Sequence, residues 1–246
     1  MRDPDQSPQP GPKKTSPMTP RERYLATLHF GEPDKVPLQP GGPRESTLEA
    51  WHQQGLPENV HWYEYLMDML GITIPETKPR TALGVSFIMI PTFEEKVLEH
   101  RDGHYIVQDW MGAITEISDT YDYTYIRRAK DFVTRKWHRF PVQNREDWEE
   151  KIKWRYDPHD PERFPQDFEA RCAALRERDY VLSLSFSGPF WQLREWCGME
   201  GLCMMMIEQP DLVSDMVAFW TDFVLETLEP ILELAPPDHI RFNEDM

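Results

Sequence analysis

The sequence predicts an α/β fold, and three features predict it. The first is an apolar β run, Tyr180-Val-Leu-Ser-Leu-Ser-Phe186, that breaks at Ser187-Gly188-Pro189 and passes into an aromatic, helix-like stretch. The second is the alternation that follows: a helix near 190–206, another over about 210–234, then a short strand over 239–243. The third is size, because 246 residues suffice for one large domain. In α/β proteins a strand's carboxyl end followed by such a turn is where ligands sit.

Residues Met1 to Pro17 are rich in Pro, Ser and charge and carry no apolar run able to act as a signal peptide. They read as a disordered extension, or as a stretch upstream of an alternative start at Met18. Thr19-Pro20-Arg21-Glu22 forms a capping box that launches a helix to about Phe30, which Gly31 and Pro33 terminate. Lys35-Val-Pro-Leu-Gln39 is expected to be a first strand. A helix capped by Ser46 or Thr47 then ends at Gly55, and another covers about Trp62 to Leu70. From Glu94 to Ile117 the pattern alternates around Asp102-Gly103, a strong hairpin turn, and an extended piece follows from Thr124 to Phe140. This predicts an antiparallel β insertion over about 94–140. Asp147 to Arg155 reads as a short helix, and Glu162 to Arg178 as another whose true start is marked by Pro165.

The net charge of −16, from 27 basic and 43 acidic residues, argues against a nucleic-acid or anionic-membrane binder. No apolar stretch approaches the ~20 residues needed to cross a bilayer. Cys172, Cys197 and Cys203 make no paired framework, which suits a reducing cytoplasm, and each reads as core filler. No Cys-x-x-Cys, His-x-Cys or His-Glu-x-x-His motif is present, so no metal site is legible. His104, His138 and His159 read as surface histidines, and Met204-Met-Met206 as flexible core packing.

The stretch Phe186-Ser-Gly-Pro-Phe-Trp-Gln-Leu-Arg-Glu-Trp196 resembles the Phe-x-Gly-x-Pro-Trp-Thr-Leu-x-x-Tyr segment of the uroporphyrinogen decarboxylase family. Phe186, Gly188, Trp191, Leu193, Glu200 and Gly201 fall in step if one extra residue is allowed around Cys197-Gly198. Met18 to Leu28 with Gly31 to Pro37 resembles the opening of that superfamily's divergent bacterial branch. Pro210 through Val224 resembles the helix after the family's Gly-rich turn, and Asn243-Glu-Asp-Met246 the next strand's end. The resemblance implies a TIM (β/α)8 barrel over 18–246. Only roughly the first two thirds of a barrel would be present, because it cannot close without its later strands. A smaller self-contained α+β fold is the alternative.

At the strand ends, Glu244 and Asp245 are the candidate catalytic carboxylates, of which at most one can face inward while the strand persists. Gly188, Phe190, Trp191, Trp196 and Asn243 are candidate substrate-binding residues, as is Arg44, whose guanidinium could hold a carboxylate. A packing role for the aromatics, a solvated strand end and a surface-loop arginine are the plain alternatives. Against the family pattern, Gln39-Pro-Gly-Gly-Pro-Arg44 stands where an arginine-bearing Met-Arg-Gln-Ala-Gly-Arg motif holds substrate carboxylates. Trp196 replaces a tyrosine at the reacting carboxylate, and Asn243-Glu244 replaces an Asp-Ser pair. The resemblance therefore implies a corrinoid- or thiol-linked methyltransferase rather than a true decarboxylase. Its substrate would be a tetrapyrrole, corrinoid or small methyl donor, with a corrinoid protein as partner, and Zn2+, if used, would be held by residues beyond Met246. The alternatives are uroporphyrinogen decarboxylase itself, a carboxy-lyase of heme biosynthesis, and a non-catalytic ligand-binding fragment.

Overall fold

The computed structural model describes residues 17–37, 41–73, 80–121 and 134–244. Helix α1 (Pro20–Leu28) opens with the expected capping box: the Thr19 hydroxyl accepts from Glu22 N, and the Glu22 side chain from Thr19 N. Helices α2 (Glu45–Gln53) and α3 (Trp62–Met69) follow. Arg44, not Ser46 or Thr47, is the N-cap of α2, and it offers no side-chain cap.

The β insertion forms as an antiparallel sheet in the order β1 (Lys96–Arg101), β2 (His104–Gln108), β3 (Ile114–Ser118) and β4 (Lys136–Arg139). Its first turn places Asp102 and Gly103 at φ 49° and 73°, which an Asp-Gly pair accepts at little cost. Residues 124–133 of the expected extended piece lie outside the described residues. Next come an α turn (Arg145–Asp147), a π turn (Trp148–Ile152) and a 3-10 turn (Lys153–Arg155). Helix α4 (Phe168–Arg176) begins after Pro165, as expected.

Strand β5 (Ser183–Ser187) leads through α5 (Pro189–Cys197), α6 (Met199–Glu208) and α7 (Pro210–Leu234) to β6 (His239–Asn243), which pairs with β5 in parallel. The helix expected near 190–206 is broken at Gly198, whose φ of 75° and ψ of 160° only glycine adopts readily. Phe186, Trp196, Trp220 and Phe223 are buried in one core that also takes in Trp148 and Tyr156. Edge-to-face pairs at 5.3–5.8 Å join Tyr156 and Trp220 to their neighbours.

The expected TIM barrel is not what the chain builds. The described residues hold one four-stranded antiparallel sheet and one two-stranded parallel sheet, with no closed ring of eight parallel strands. The expected first strand is absent over Lys35–Pro37, where Val36 is 83% exposed and Pro37 has no amide to donate; Leu38 and Gln39 lie outside the described residues. Strand–helix alternation requires a parallel pair and nothing larger, while the middle of the chain satisfies its backbone through local hairpins.

Candidate functional site

The carboxyl ends of β5 and β6 form the floor of the site. Register places Ser187 opposite Asn243, and Gly188 N donates to Asn243 O at 2.9 Å. Pro189 occupies the first turn of α5, leaving the amides of Phe190 and Trp191 without helical acceptors. Glu244 meets them: Phe190 N donates to Oε1 at 3.1 Å and Trp191 N to Oε2 at 2.9 Å. A carboxylate is favoured there because the amide dipoles of the helix point their positive end at it. Any Cβ on Gly188 would collide with the Glu244 carboxylate. Glu244, expected as a catalytic base, is thus engaged in capping α5, and the close approach at Gly188 is made by protein.

Behind this cap lies an inner cavity of about 310 Å3, walled by Phe87, Trp110, Trp196, Trp220 and other apolar groups. Its polar residues are Tyr156, Ser185, Ser187, Gln192, Glu195 and Asn243. Gln192 Nε2 donates to the Tyr156 hydroxyl at 3.3 Å, and Trp196 Nε1 donates to it at 3.2 Å. Burial pushes the phenol well above its ordinary pKa, so it stays neutral. Trp220 Nε1 donates to Ser187 O at 3.0 Å, fixing the floor.

Glu195 stands on the wall shared with a larger outer cavity of about 890 Å3. It accepts from Trp191 Nε1 at 2.8 Å. Burial raises its pKa above the ordinary carboxylate range, and the nearby charge of Asp109 adds to the rise; the Trp191 hydrogen bond and Arg194 oppose it. Asp109 itself is 3% exposed and is raised chiefly by burial. Its Oδ1 accepts from Met111 N and Ala113 N at 3.0 Å each, tying down the turn that carries Trp110 and Met111 into the cavity walls. Its Oδ2 has no hydrogen-bond partner among the described residues.

Of the residues expected at the site, Trp196 and Asn243 share the inner cavity and Trp191 lines the outer one. Gly188 and Phe190 lie at the cap, Arg44 is exposed at the head of α2 outside both cavities, and Asp245 lies outside the described residues. Glu195, Asp109, Tyr156 and Arg135, the last on the outer cavity's wall, were not anticipated. Only the i, i+4 spacing of Trp191 and Glu195 could have signalled one of them. The cysteines are free; burial pushes the Cys197 thiol up to about 12, in keeping with a packing role. Among the described residues no cluster of three His, Cys, Asp or Glu could hold a metal ion, so none of them offers zinc a donor set. Among them also, no helix is long and apolar enough to cross a membrane. No protein-family model matches the chain, and comparison with curated proteins and with solved structures gave no match.

Proposed function

We propose that the chain is a methyltransferase of the uroporphyrinogen decarboxylase superfamily that moves a methyl group onto a thiol, with the paired cavities as its substrate site. The observation that carries this reading is Glu195: a carboxylate with a raised pKa, held by Trp191 and lining both an aromatic-walled cavity and a larger neighbouring one. Pockets of this kind, apolar with few oriented polar groups, suit small organic ligands.

In this reading the thiol enters beside Glu195, whose carboxylate takes the thiol proton as the sulfur forms its bond to the methyl carbon. The bond between that carbon and the donor breaks, and its electron pair leaves with the donor. A base whose pKa lies above the carboxylate range is closer in basicity to a thiolate, which makes the transfer less uphill. Gln192 and Trp196 hold the Tyr156 hydroxyl at the chamber wall, where it and Asn243 can orient a polar substrate atom.

The test is methyl transfer from methylcobalamin to a small thiol, comparing the parent chain with Glu195→Gln. The expected result is a loss in kcat/KM of about 100-fold or more. The acid-side limb of the parent's pH–rate profile should lie above the usual carboxylate range and vanish in the variant. Full activity in the variant would remove Glu195 from the reaction. Absence of transfer by the parent chain would sink the methyltransferase reading, and release of CO2 from a porphyrinogen would replace it with decarboxylation.

A further inference from the structure

We propose that the outer cavity is an anion subsite, in which Arg135 receives the carboxylate or phosphate of a ligand whose flat apolar part lies against Trp137 and Trp191. The inference deepens the proposed substrate site and rests on it for the identity of the ligand as a substrate.

The wall of this cavity gathers cations on an otherwise acidic protein of net charge −16. Arg135 precedes strand β4, Arg139 is its last residue, and Arg194 comes from the last turn of α5. His138 also lines it, but is held by Glu116 through its Nε2 at 2.8 Å. The acids on the same lining are Glu195, Glu200 and Glu208. Glu195 is bound by Trp191, while the other two lie in the first and last turns of α6.

Arg135 singles itself out. It stacks on the Trp137 ring at 4.8 Å and is half-buried, and among the described residues no hydrogen bond or ion pair engages its guanidinium. Burial lowers its pKa, and only the more distant charge of Asp109 acts the other way. A guanidinium removed from water without an acceptor carries five donors for an incoming oxyanion, in a fork that matches carboxylate or phosphate. Arg194 lies over the Trp191 ring at 4.1 Å, and Trp137 also stacks on Phe140 at 4.9 Å, so two arginine–tryptophan pairs line one chamber. That combination selects a planar anion rather than an inorganic ion alone.

Isothermal titration of the full chain with benzoate, benzamide and inorganic phosphate tests this without any turnover. Benzoate is expected to bind saturably and benzamide about tenfold more weakly or worse, since one charge-assisted hydrogen bond is worth roughly that factor. Displacement of benzoate by phosphate would widen the subsite to any oxyanion; failure to displace would restrict it to aryl carboxylates. Arg135→Gln should weaken benzoate by about tenfold or more, and Arg139→Gln, an exposed position where folding is not at stake, should weaken it to a smaller degree. Arg101→Gln, on the same sheet but outside the cavity, should leave it unchanged. Equal affinity for benzoate and benzamide, no benzoate binding, or full binding by both cavity variants would each overturn the proposal. Because benzoate binding is read without turnover and methyl transfer is read without benzoate, failure of the subsite and failure of the methyltransferase reading give different results.

Discussion

Gly188 shows how much chemistry can hide behind one missing side chain. As a residue where the backbone must be approached closely it was legible in the sequence, since a glycine between a β run and a proline has few other uses. What approaches it was not legible, because Glu244 arrives from the end of a neighbouring strand far along the chain. The expected effect of Gly188→Ala is loss of the Glu244 cap, at about 1–2 kcal/mol in chemical denaturation. Adding Glu244→Ala to that variant should cost much less than it does alone, because the cap is already lost. Additive losses in this double-mutant cycle would show that the two residues act separately. Glu195 and Asp109 carry the same lesson: an acidic residue in a helix or turn looks like solvated surface until the fold removes its water.

Among elements, those whose signals are local formed as expected. The capping box of α1, the Asp102-Gly103 hairpin, the long helix α7 and strand β6 are each written within a few neighbouring residues. The break between α5 and α6 was missed, although Gly198 stood in view, because an isolated glycine inside a helical pattern is usually tolerated. Tertiary contact decides it here: Phe140, from the end of the β insertion, packs where a Gly198 Cβ would be. Gly198→Ala would combine that collision with a backbone conformation closed to L side chains. The expected destabilisation is about 1–3 kcal/mol, read as a lowered Tm. An unchanged Tm would mean that α5 and α6 can merge into one helix without loss.

At the scale of the molecule, Asp238 holds the end opposite the cavities together. It accepts from Leu182 N at 2.9 Å, from Arg21 Nε at 2.8 Å and from Arg178 Nε at 3.2 Å, joining α1 to the starts of β5 and β6. Burial alone would raise its pKa; these hydrogen bonds and the Arg178 charge outweigh burial and hold it below the ordinary value. Its stabilising contribution is therefore complete above the ordinary carboxylate pKa and is lost as pH falls through the lower folded value. Asp34, brought to about 2 chiefly by the Arg23 hydrogen bond, acts with the same sign. Asp109 and Glu195 act oppositely, losing stability as pH climbs from the ordinary range toward their raised folded values. Asp238→Ala should cost about 3–5 kcal/mol near neutrality, because it leaves a buried arginine unpaired. It should also flatten the acid limb of stability against pH, a change that urea midpoints measured from pH 7 downward would reveal or refute. By itself the sequence determined helices α1 and α7, the Asp102-Gly103 hairpin and the strands β5 and β6, since period, caps and turn residues act over a few positions. Only the tertiary structure decided that β5 and β6 pair with each other, that the sheets do not close into a barrel, that Glu244 is engaged at a helix end, and that Glu195 and Arg135 line cavities. Those outcomes depend on which distant surfaces exclude water from each other, and no local pattern encodes that.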